Sequence, residues 1–381
     1  MRVLYIDNER DVASAQRGLL DVLDALPAGI IPSVLCPEGE LAAAVRRAGV
    51  PVHRMPGTSR RPHLRPGRTV VAGAEVAVSA LVLRRIAAAT GADVVHANSA
   101  RAGLMAVTAE GLGGPPVVVT VHGQLPGSRS GALVKSAVSR RASVVTANSL
   151  FTARDFPLAQ PRILHQPLDV DTFDPTKLDR SQAREALGLP PGGVLVGVVG
   201  QITPWKGQDV AIRALKLVRD RHPDARLLLV GRTRHDKAAR HDNSSYGRWL
   251  YRLVRGLGLQ ESVEFWDERE DVTTVMRALD VALFPSWGEP FGLAVVEAMA
   301  LETAVIATDA GGPVEYIRHG VDGLLLPPHD VSRWAVALDR LLADAALRQS
   351  LAVSGSRAVR ERFDRSRYAS QLVQIYHEVA A

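Results

Sequence analysis

Short apolar runs alternate with amphipathic stretches along almost the whole chain of 381 residues. Consecutive apolar residues predict buried strands, and apolar positions three and four residues apart, as in 15–26 and 40–48, predict the helices between them. Such an alternation predicts an α/β fold of parallel sheets with helices on both faces. In the first half, the predicted strands are Val3–Ile6, Ile31–Cys36, Val52–Met55, Val94–His96, Val117–His122 and Val144–Ala147.

The pattern is interrupted once, by a polar stretch that ends in a Pro-Pro-Gly-Gly turn at 190–193, and then it resumes. Proline and glycine clusters of this kind favour a linker, which we place at 167–191. The sequence therefore predicts two doubly wound domains, 1–166 and 192–365. Strands of the second half are predicted at Val194–Val199, Arg226–Val230, Val263–Phe265, Val281–Pro285, Val305–Ala307 and Gly323–Leu326.

Composition places the chain among soluble proteins, with 46% apolar and 23% charged residues. The apolar stretch Val76–Leu83 is far shorter than the ~20 residues of a membrane span. Met1 leads directly into a strand, which leaves no room for a signal peptide. Cys36 is the single cysteine, so a disulfide framework is excluded. We expect a cytoplasmic protein.

Positive charge is concentrated in the first half: residues 1–165 hold 19 lysines and arginines against 11 acidic residues. No nucleic-acid motif accompanies it, which excludes a nucleic-acid partner. The basic loop Thr58–Arg68, with Arg60 and Arg61, predicts contact with an anionic acceptor or with anionic lipid at the inner membrane face. A solvated arginine-rich surface is the alternative.

The stretch Phe284–Ala300 predicts a phosphate site. It reads as a strand end, a short polar loop and a helix from Gly292 to Ala300, with a proline at the helix entry. Free amides at a helix N-terminus bind anions, so we expect a phosphate at the amides of Phe291, Gly292 and Leu293.

Two glutamates belong to this stretch, Glu289 at the mouth of the predicted site and Glu297 eight residues later. Carboxylates repel phosphate but accept hydrogen bonds from sugar hydroxyl groups. The sequence therefore predicts a site for a sugar nucleotide.

A lysine-bearing turn, Gly200–Gly207, follows the first strand of the second half. Lys206 on this turn can reach a diphosphate and offset the charge that builds on it when the sugar leaves. A surface lysine is the bland alternative, but helix N-termini disfavour cations.

These motifs closely resemble those of the family-4 retaining glycosyltransferases, which have a GT-B fold of two Rossmann-like domains facing across a cleft. The string SWGEPFGLAVVEAMA resembles the family's signature with its E-x7-E pair, and this implies that Glu289 contacts the donor sugar and Glu297 the ribose. The string GQITPWKG resembles the family's G-R-L-x-x-x-K-G, with Gln201 in place of the arginine. The resemblance also implies a C-terminal helix, about 366–381, that returns to the first domain.

Further donor contacts follow from the resemblance. Arg232 ends a strand where the family has a glycine-rich turn, which implies a phosphate or base contact, with plain solvation as the alternative. Trp266 and Asp267 occupy the position of the nucleobase region.

The first domain is expected to bind the acceptor. His122 ends a strand and resembles the histidine that lies beside the donor sugar in the family, so we count it with Lys206 and Glu289 as catalytic. His96 and Asn98, at another strand end, are open between substrate contact and packing. The remaining acceptor residues predicted are Asn8, Ser14, Asn98, Arg60 and Arg61.

The resemblance implies a metal-independent transfer of a hexose from a nucleotide-diphosphate sugar to a glycan, glycolipid or natural product, with retention at the anomeric carbon. The nucleotide sugar is then a co-substrate, and no cofactor is required. The acceptor is a small molecule or lipid-linked, as in polysaccharide biosynthesis. Two alternatives stay open: a sugar-nucleotide epimerase or hydrolase of the same fold, and an inactive glycosyltransferase-like binding subunit.

Overall fold

A computed structural model describes residues 1–55, 66–125, 127–232 and 243–381. The chain forms two compact units, one made of Met1–Pro167 with Phe363–Ala381 and the other of Leu168–Arg362. Arg60 and Arg61 lie outside the described residues.

The first unit is a parallel sheet with the strand order β3-β2-β1-β4-β5-β6-β7. Its strands are β1 (Arg2–Ile6), β2 (Ile31–Cys36), β3 (Val52–Arg54), β4 (Val94–Ala97), β5 (Val117–Val121), β6 (Val144–Ala147) and β7 (Arg162–Ile163). Its helices are α1 (Ser14–Ala25), α2 (Glu40–Arg47), α3 (Pro66–Thr90), α4 (Ala100–Glu110), α5 (Arg129–Arg141) and α6 (Leu150–Ala153). A 3₁₀ turn spans Pro157–Ala159.

The second unit is a parallel sheet with the strand order β10-β9-β8-β11-β12-β13. Its strands are β8 (Leu195–Val199), β9 (Arg226–Val230), β10 (Val263–Trp266), β11 (Val281–Phe284), β12 (Ala304–Thr308) and β13 (Leu324–Leu326). Its helices are α7 (Arg180–Ala186), α8 (Gln208–Val218), α9 (Asn243–Gly256), α10 (Val272–Ala278), α11 (Leu293–Ala300), α12 (Val331–Ala343) and α13 (Ala345–Arg362). Two 3₁₀ turns span Pro204–Lys206 and Gly312–Glu315.

The last helix, α14 (Arg365–Ala380), belongs to the first unit. Its Leu372 and Tyr376 are fully buried in the apolar cluster that also contains Val3 and Tyr5 of β1. Leu4 and Ile6, the alternate residues of the same strand, face a second cluster. The sheet is thus covered on both faces, which explains why its strands read as continuous apolar runs.

Two doubly wound parallel sheets confirm the predicted fold class. The segment 167–191, predicted as a linker, is different: residues 168–191 are part of the second unit and contain α7. The backbone amide of Gln182 donates to Asp179 over 2.8 Å, and its side chain accepts from the Asp179 amide over 3.1 Å. This capping box, with the Arg184 guanidinium donating to the carbonyl of Ala278, holds the segment in place.

Candidate functional site

The second unit places the two motifs of the predicted donor site at neighbouring strand ends. Lys206 follows β8 and Glu289 follows β11, and these strands lie side by side in the centre of the sheet. From β8 the chain moves outward to β9, whereas from β11 it moves to β12 in the opposite direction. Ligands of open α/β sheets bind in the crevice at such a switch point.

Lys206 and Glu289 form an ion pair at this crevice. The Lys206 ammonium donates to Glu289 Oε2 over 2.6 Å, and the Ser286 hydroxyl donates to the same oxygen over 2.9 Å. The Glu289 side chain is 9% exposed and that of Lys206 26% exposed. The Coulomb attraction between charges so shielded from water is stronger than that between exposed charges, while their desolvation opposes it. Two predicted catalytic residues thus come together, and Ser286, to which the sequence analysis gave no role, joins them.

Close backbone packing at Gly207 fixes the position of Lys206. Gly207 has φ +69°, and a Cβ built on it would lie 2.1 Å from the carbonyl oxygen of Pro285 at the end of β11. Any other residue would therefore force the two strand-end loops apart.

We expect Gly207→Ala to destabilise the protein by about 2 kcal/mol or more, from the left-handed backbone alone and then from the clash. Gly256→Ala, at the end of α9 with open space around the added methyl group, is the matched control and should leave the stability unchanged or raise it by up to about 1 kcal/mol. Urea unfolding of the two variants makes the comparison. Equal stability of both would contradict the packing argument.

The helix after Glu289 begins one residue later than predicted, at Leu293 rather than Gly292. Gly292 has φ +90° and so lies outside the helix. The ring of Phe291 is buried against Tyr316, whose hydroxyl donates to the Phe291 carbonyl over 2.8 Å. Side chains of Phe291 and Leu293 are therefore core, and only their backbone could serve a ligand. Glu297 lies on α11 and is 2% exposed.

The other predicted donor residues are at least partly exposed and have contacts outside the Lys206–Glu289 pair. Gln201 is exposed, and its carbonyl accepts from the side chain of Gln208 over 2.8 Å. The Arg232 side chain is 66% exposed and lies 3.7 Å from Glu268, a weak surface pair. Trp266 ends β10 and its indole donates to Glu264 over 3.2 Å, while Asp267 is exposed beyond it.

The first unit has a polar cluster at its own switch point, between β1 and β4. Asp7 and Asn8 follow β1, Asn98 follows β4, and His122 follows β5. The Asn98 amide donates to Asp7 over 2.8 Å, and its oxygen lies 3.0 Å from His122 Nε2. Asn8 accepts from the hydroxyl of Ser99 over 2.8 Å. The cluster joins three predicted residues to Asp7, which the sequence analysis missed.

Burial shifts the pKa values in this cluster. It raises the pKa of Asp7 to about 6 and lowers the pKa of His122 to about 4. His122 is therefore neutral at pH 7. Ser14, the remaining described acceptor candidate, is the exposed first residue of α1, and its carbonyl accepts from Gln166.

His96 has a packing role. Its Nε2 lies 2.7 Å from the hydroxyl of Thr120, and its Nδ1 contacts the hydroxyl of Tyr376 on α14. The residue is 3% exposed, and burial lowers its pKa to about 3. His96 lies within β4, whereas His122 lies beyond the end of β5, so only His122 belongs to the strand-end cluster.

Among the described residues, no group of three or more His, Cys, Asp or Glu side chains has the arrangement of a metal site. None of the described helices combines the length and the hydropathy of a membrane span.

Two family descriptions match the chain. "Glycosyl transferases group 1" matches residues 179–357, and "Glycosyl transferase 4-like domain" matches residues 16–161.

Curated relatives include the D-inositol 3-phosphate glycosyltransferase of Salinispora arenicola. It is 32% identical over 314 residues, which are 76% of this chain and 69% of the relative. The D-inositol 3-phosphate glycosyltransferase of a Mycobacterium species (strain KMS) is 40% identical over 183 residues, 48% of this chain and 39% of the relative. The chain thus spans less than half the length of that second relative.

Among solved structures, Anabaena Alr3699/HepE in complex with UDP-glucose is similar with a TM-score of 0.82 and 24% identity, covering 99% of this chain and 100% of that one. Sucrose-phosphate synthase from Thermosynechococcus elongatus has a TM-score of 0.80 and 23% identity, covering 99% and 98%. Likeness at this level of identity concerns the fold.

Proposed function

Because the chain belongs to the family-4 glycosyltransferases of the GT-B fold, as its motifs predict, we propose that it transfers a hexose from a nucleotide-diphosphate sugar to a hydroxyl group. The observation that carries the proposal is the Lys206–Glu289 pair at the switch point of the second sheet. One partner suits a diphosphate and the other suits sugar hydroxyl groups, and they lie 2.6 Å apart.

In this proposal Lys206 and the backbone around Gly292 hold the diphosphate, Arg232 lies near the nucleotide, and the Trp266–Asp267 segment lies beside the base. Glu289 binds the sugar, and Glu297 binds the ribose. Gln201 offers phosphate only a neutral amide, so Lys206 carries most of the charge. UDP and GDP are both candidates, and UDP is tested first because the Anabaena structure holds UDP-glucose.

We infer transfer with retention, by front-face substitution. The bond from the anomeric carbon to the β-phosphate oxygen breaks, and a bond to the acceptor oxygen forms on the same face. The acceptor's proton passes to the departing phosphate. Lys206 stabilises the negative charge of that phosphate. In metal-dependent enzymes a metal ion stabilises such a charge, and in this proposal the lysine replaces it, so no metal is required.

For the acceptor we propose a phosphate-bearing polyol. The relatives are named for D-inositol 3-phosphate, and the surplus of basic residues in the first half suits an anionic acceptor. A lipid-linked acceptor with peripheral contact at an anionic membrane is the second source of the same phosphate chemistry.

The test incubates the protein with UDP-glucose and inositol 3-phosphate, with and without EDTA. We expect release of UDP that depends on the acceptor, an α-linked product by proton NMR, and the same rate with EDTA. Release without acceptor would indicate a hydrolase or epimerase. No release with UDP-sugars or GDP-sugars, in the presence of phosphorylated polyols or anionic vesicles carrying inositol lipid, would favour an inactive binding subunit. Loss of rate in EDTA would overturn metal independence.

A further inference from the structure

Asp7, Asn98 and His122 form a hydrogen-bonded chain across three strand ends of the first unit. The Asn98 nitrogen donates to Asp7, so its amide oxygen faces His122 Nε2 at 3.0 Å. An amide oxygen only accepts, and therefore Nε2 must carry the hydrogen. Asp7 thus fixes the tautomer of His122 without contacting it, because it sets the orientation of the Asn98 amide.

The second ring nitrogen is left as a bare lone pair. His122 Nδ1 is buried and has no hydrogen-bond partner among the described residues. The side chain of Asn148 donates to the His122 carbonyl over 3.0 Å, and its own oxygen is likewise buried and unpartnered. Buried acceptors without a donor are rare and costly. A hydroxyl group of a ligand could donate a hydrogen bond to His122 Nδ1 or to the Asn148 oxygen.

Asp7 is an unusual core residue. It is fully buried, and its partners are the amides of Asn98 and Gln16 and the backbone N–H of Glu9. No cation among the described residues forms an ion pair with it. An ionised carboxylate buried without a counter-charge destabilises a fold. Its presence at a switch point indicates a role in the site.

We infer that Asp7 and Asn98 are positioning residues of the transferase. They hold His122 as the neutral Nε2–H tautomer, so that its Nδ1, with the oxygen of Asn148, accepts hydrogen bonds from hydroxyl groups of a polyol or sugar. This inference rests on the proposed function and adds to it the residues of the first unit that orient the His122 ring towards a substrate hydroxyl group.

Nitrogen-15 NMR of histidine-labelled protein tests the tautomer without any assay of activity. The resonances of His122 are identified by their absence from the spectrum of His122→Ala. We expect the Nε2–H form at pH 7.5 in the unmodified protein, and a mixture of tautomers in Asn98→Ala. An Nδ1–H ring in the unmodified protein would overturn the inference, even if glycosyl transfer is established.

Kinetics separate positioning from folding. Asn98→Ala should lower kcat about 10- to 100-fold, since a small misplacement has effects of this size, with the thermal shift by UDP unchanged. Thr146→Val is the matched control. It removes a buried hydrogen bond, to Thr120 over 2.7 Å, that does not belong to the Asp7–Asn98–His122 cluster. Its kcat should stay within about twofold of the unmodified value. Equal losses in the two variants would reduce Asn98 to a structural residue.

The pH profile adds a signature that packing cannot imitate. Because Asp7 lies 2.8 Å from the Asn98 nitrogen, a carboxyl group introduced at position 98 alone would share a proton with Asp7. The double variant Asp7→Asn with Asn98→Asp avoids this, because it keeps one carboxylate in the cluster and places it beside His122. There it should raise the pKa of the ring, since an adjacent negative charge favours the imidazolium. Glu9 and Cys36 face Asp7, and His96 faces His122, but none of them changes in this variant. We expect kcat of this double variant to decrease on acidification already at a pH where the unmodified enzyme is fully active. An unchanged pH profile of kcat would contradict the inference that the residue at position 98 controls the His122 ring.

Discussion

Replacing Lys206 by methionine is expected to remove most of the stabilisation that UDP gives to the protein. At 100 times its dissociation constant, a nucleotide adds about 2.7 kcal/mol to the free energy of unfolding. Loss of one charge-assisted contact of about 2.7 kcal/mol weakens binding about 100-fold. At the same UDP concentration the stabilisation would then be about 0.4 kcal/mol.

The control is Lys216→Met, which removes an exposed lysine from α8 in the same unit. It should keep the full thermal shift with UDP. Because Lys206→Met leaves Glu289 without its counter-charge, the double variant with Glu289→Gln separates loss of the ligand contact from loss of the ion pair. A normal shift in Lys206→Met would refute the proposed phosphate site.

Glu289→Gln should lower the turnover number without weakening the binding of UDP. In the free protein Glu289 is paired with Lys206. If the nucleotide binds Lys206 as proposed, neutralising Glu289 removes a competitor and should leave UDP affinity unchanged or raise it several-fold. Turnover should fall by about 100- to 1,000-fold, because the proposed contact of the sugar with a charged partner is lost. Binding by calorimetry and kcat with UDP-glucose measure the two effects.

Glu297→Gln serves as the contrast, because losing its proposed ribose contacts should lower nucleotide affinity by about 1–3 kcal/mol. Glu261→Gln, an exposed glutamate of the same unit, should change neither quantity. If Glu289→Gln weakens UDP binding as much as Glu297→Gln does, the assignment of Glu289 to the sugar is wrong.

The strands could be predicted because parallel strands buried on both faces are apolar at every position. Lys206 and Glu289 could be predicted separately, each from its own short motif. Their pairing could not, since they lie 83 residues apart and meet only because β8 and β11 are neighbours. Strand order is a property of the whole sheet, and no local pattern encodes it.

Asp7 was missed because a single carboxylate after a strand has no spacing to distinguish it. By contrast, α7 left a readable signal: Asp179 followed three residues later by Gln182 is a capping box. The sequence analysis did not use this signal and assigned the polar, proline-rich segment to a linker. The late start of α11 follows from the left-handed backbone of Gly292, which periodicity does not reveal.

The burial of α14 in the first unit has a consequence for biosynthesis. Leu372 and Tyr376 complete a core whose other members, such as Val3 and Tyr5, are translated more than 360 residues earlier. Leu168–Arg362, in contrast, is one continuous segment. We therefore expect the second half of the message to yield the first finished domain on the ribosome. Until α14 is translated, the apolar surface of the N-terminal sheet that α14 covers would stay exposed. We expect chaperones to be needed during this interval.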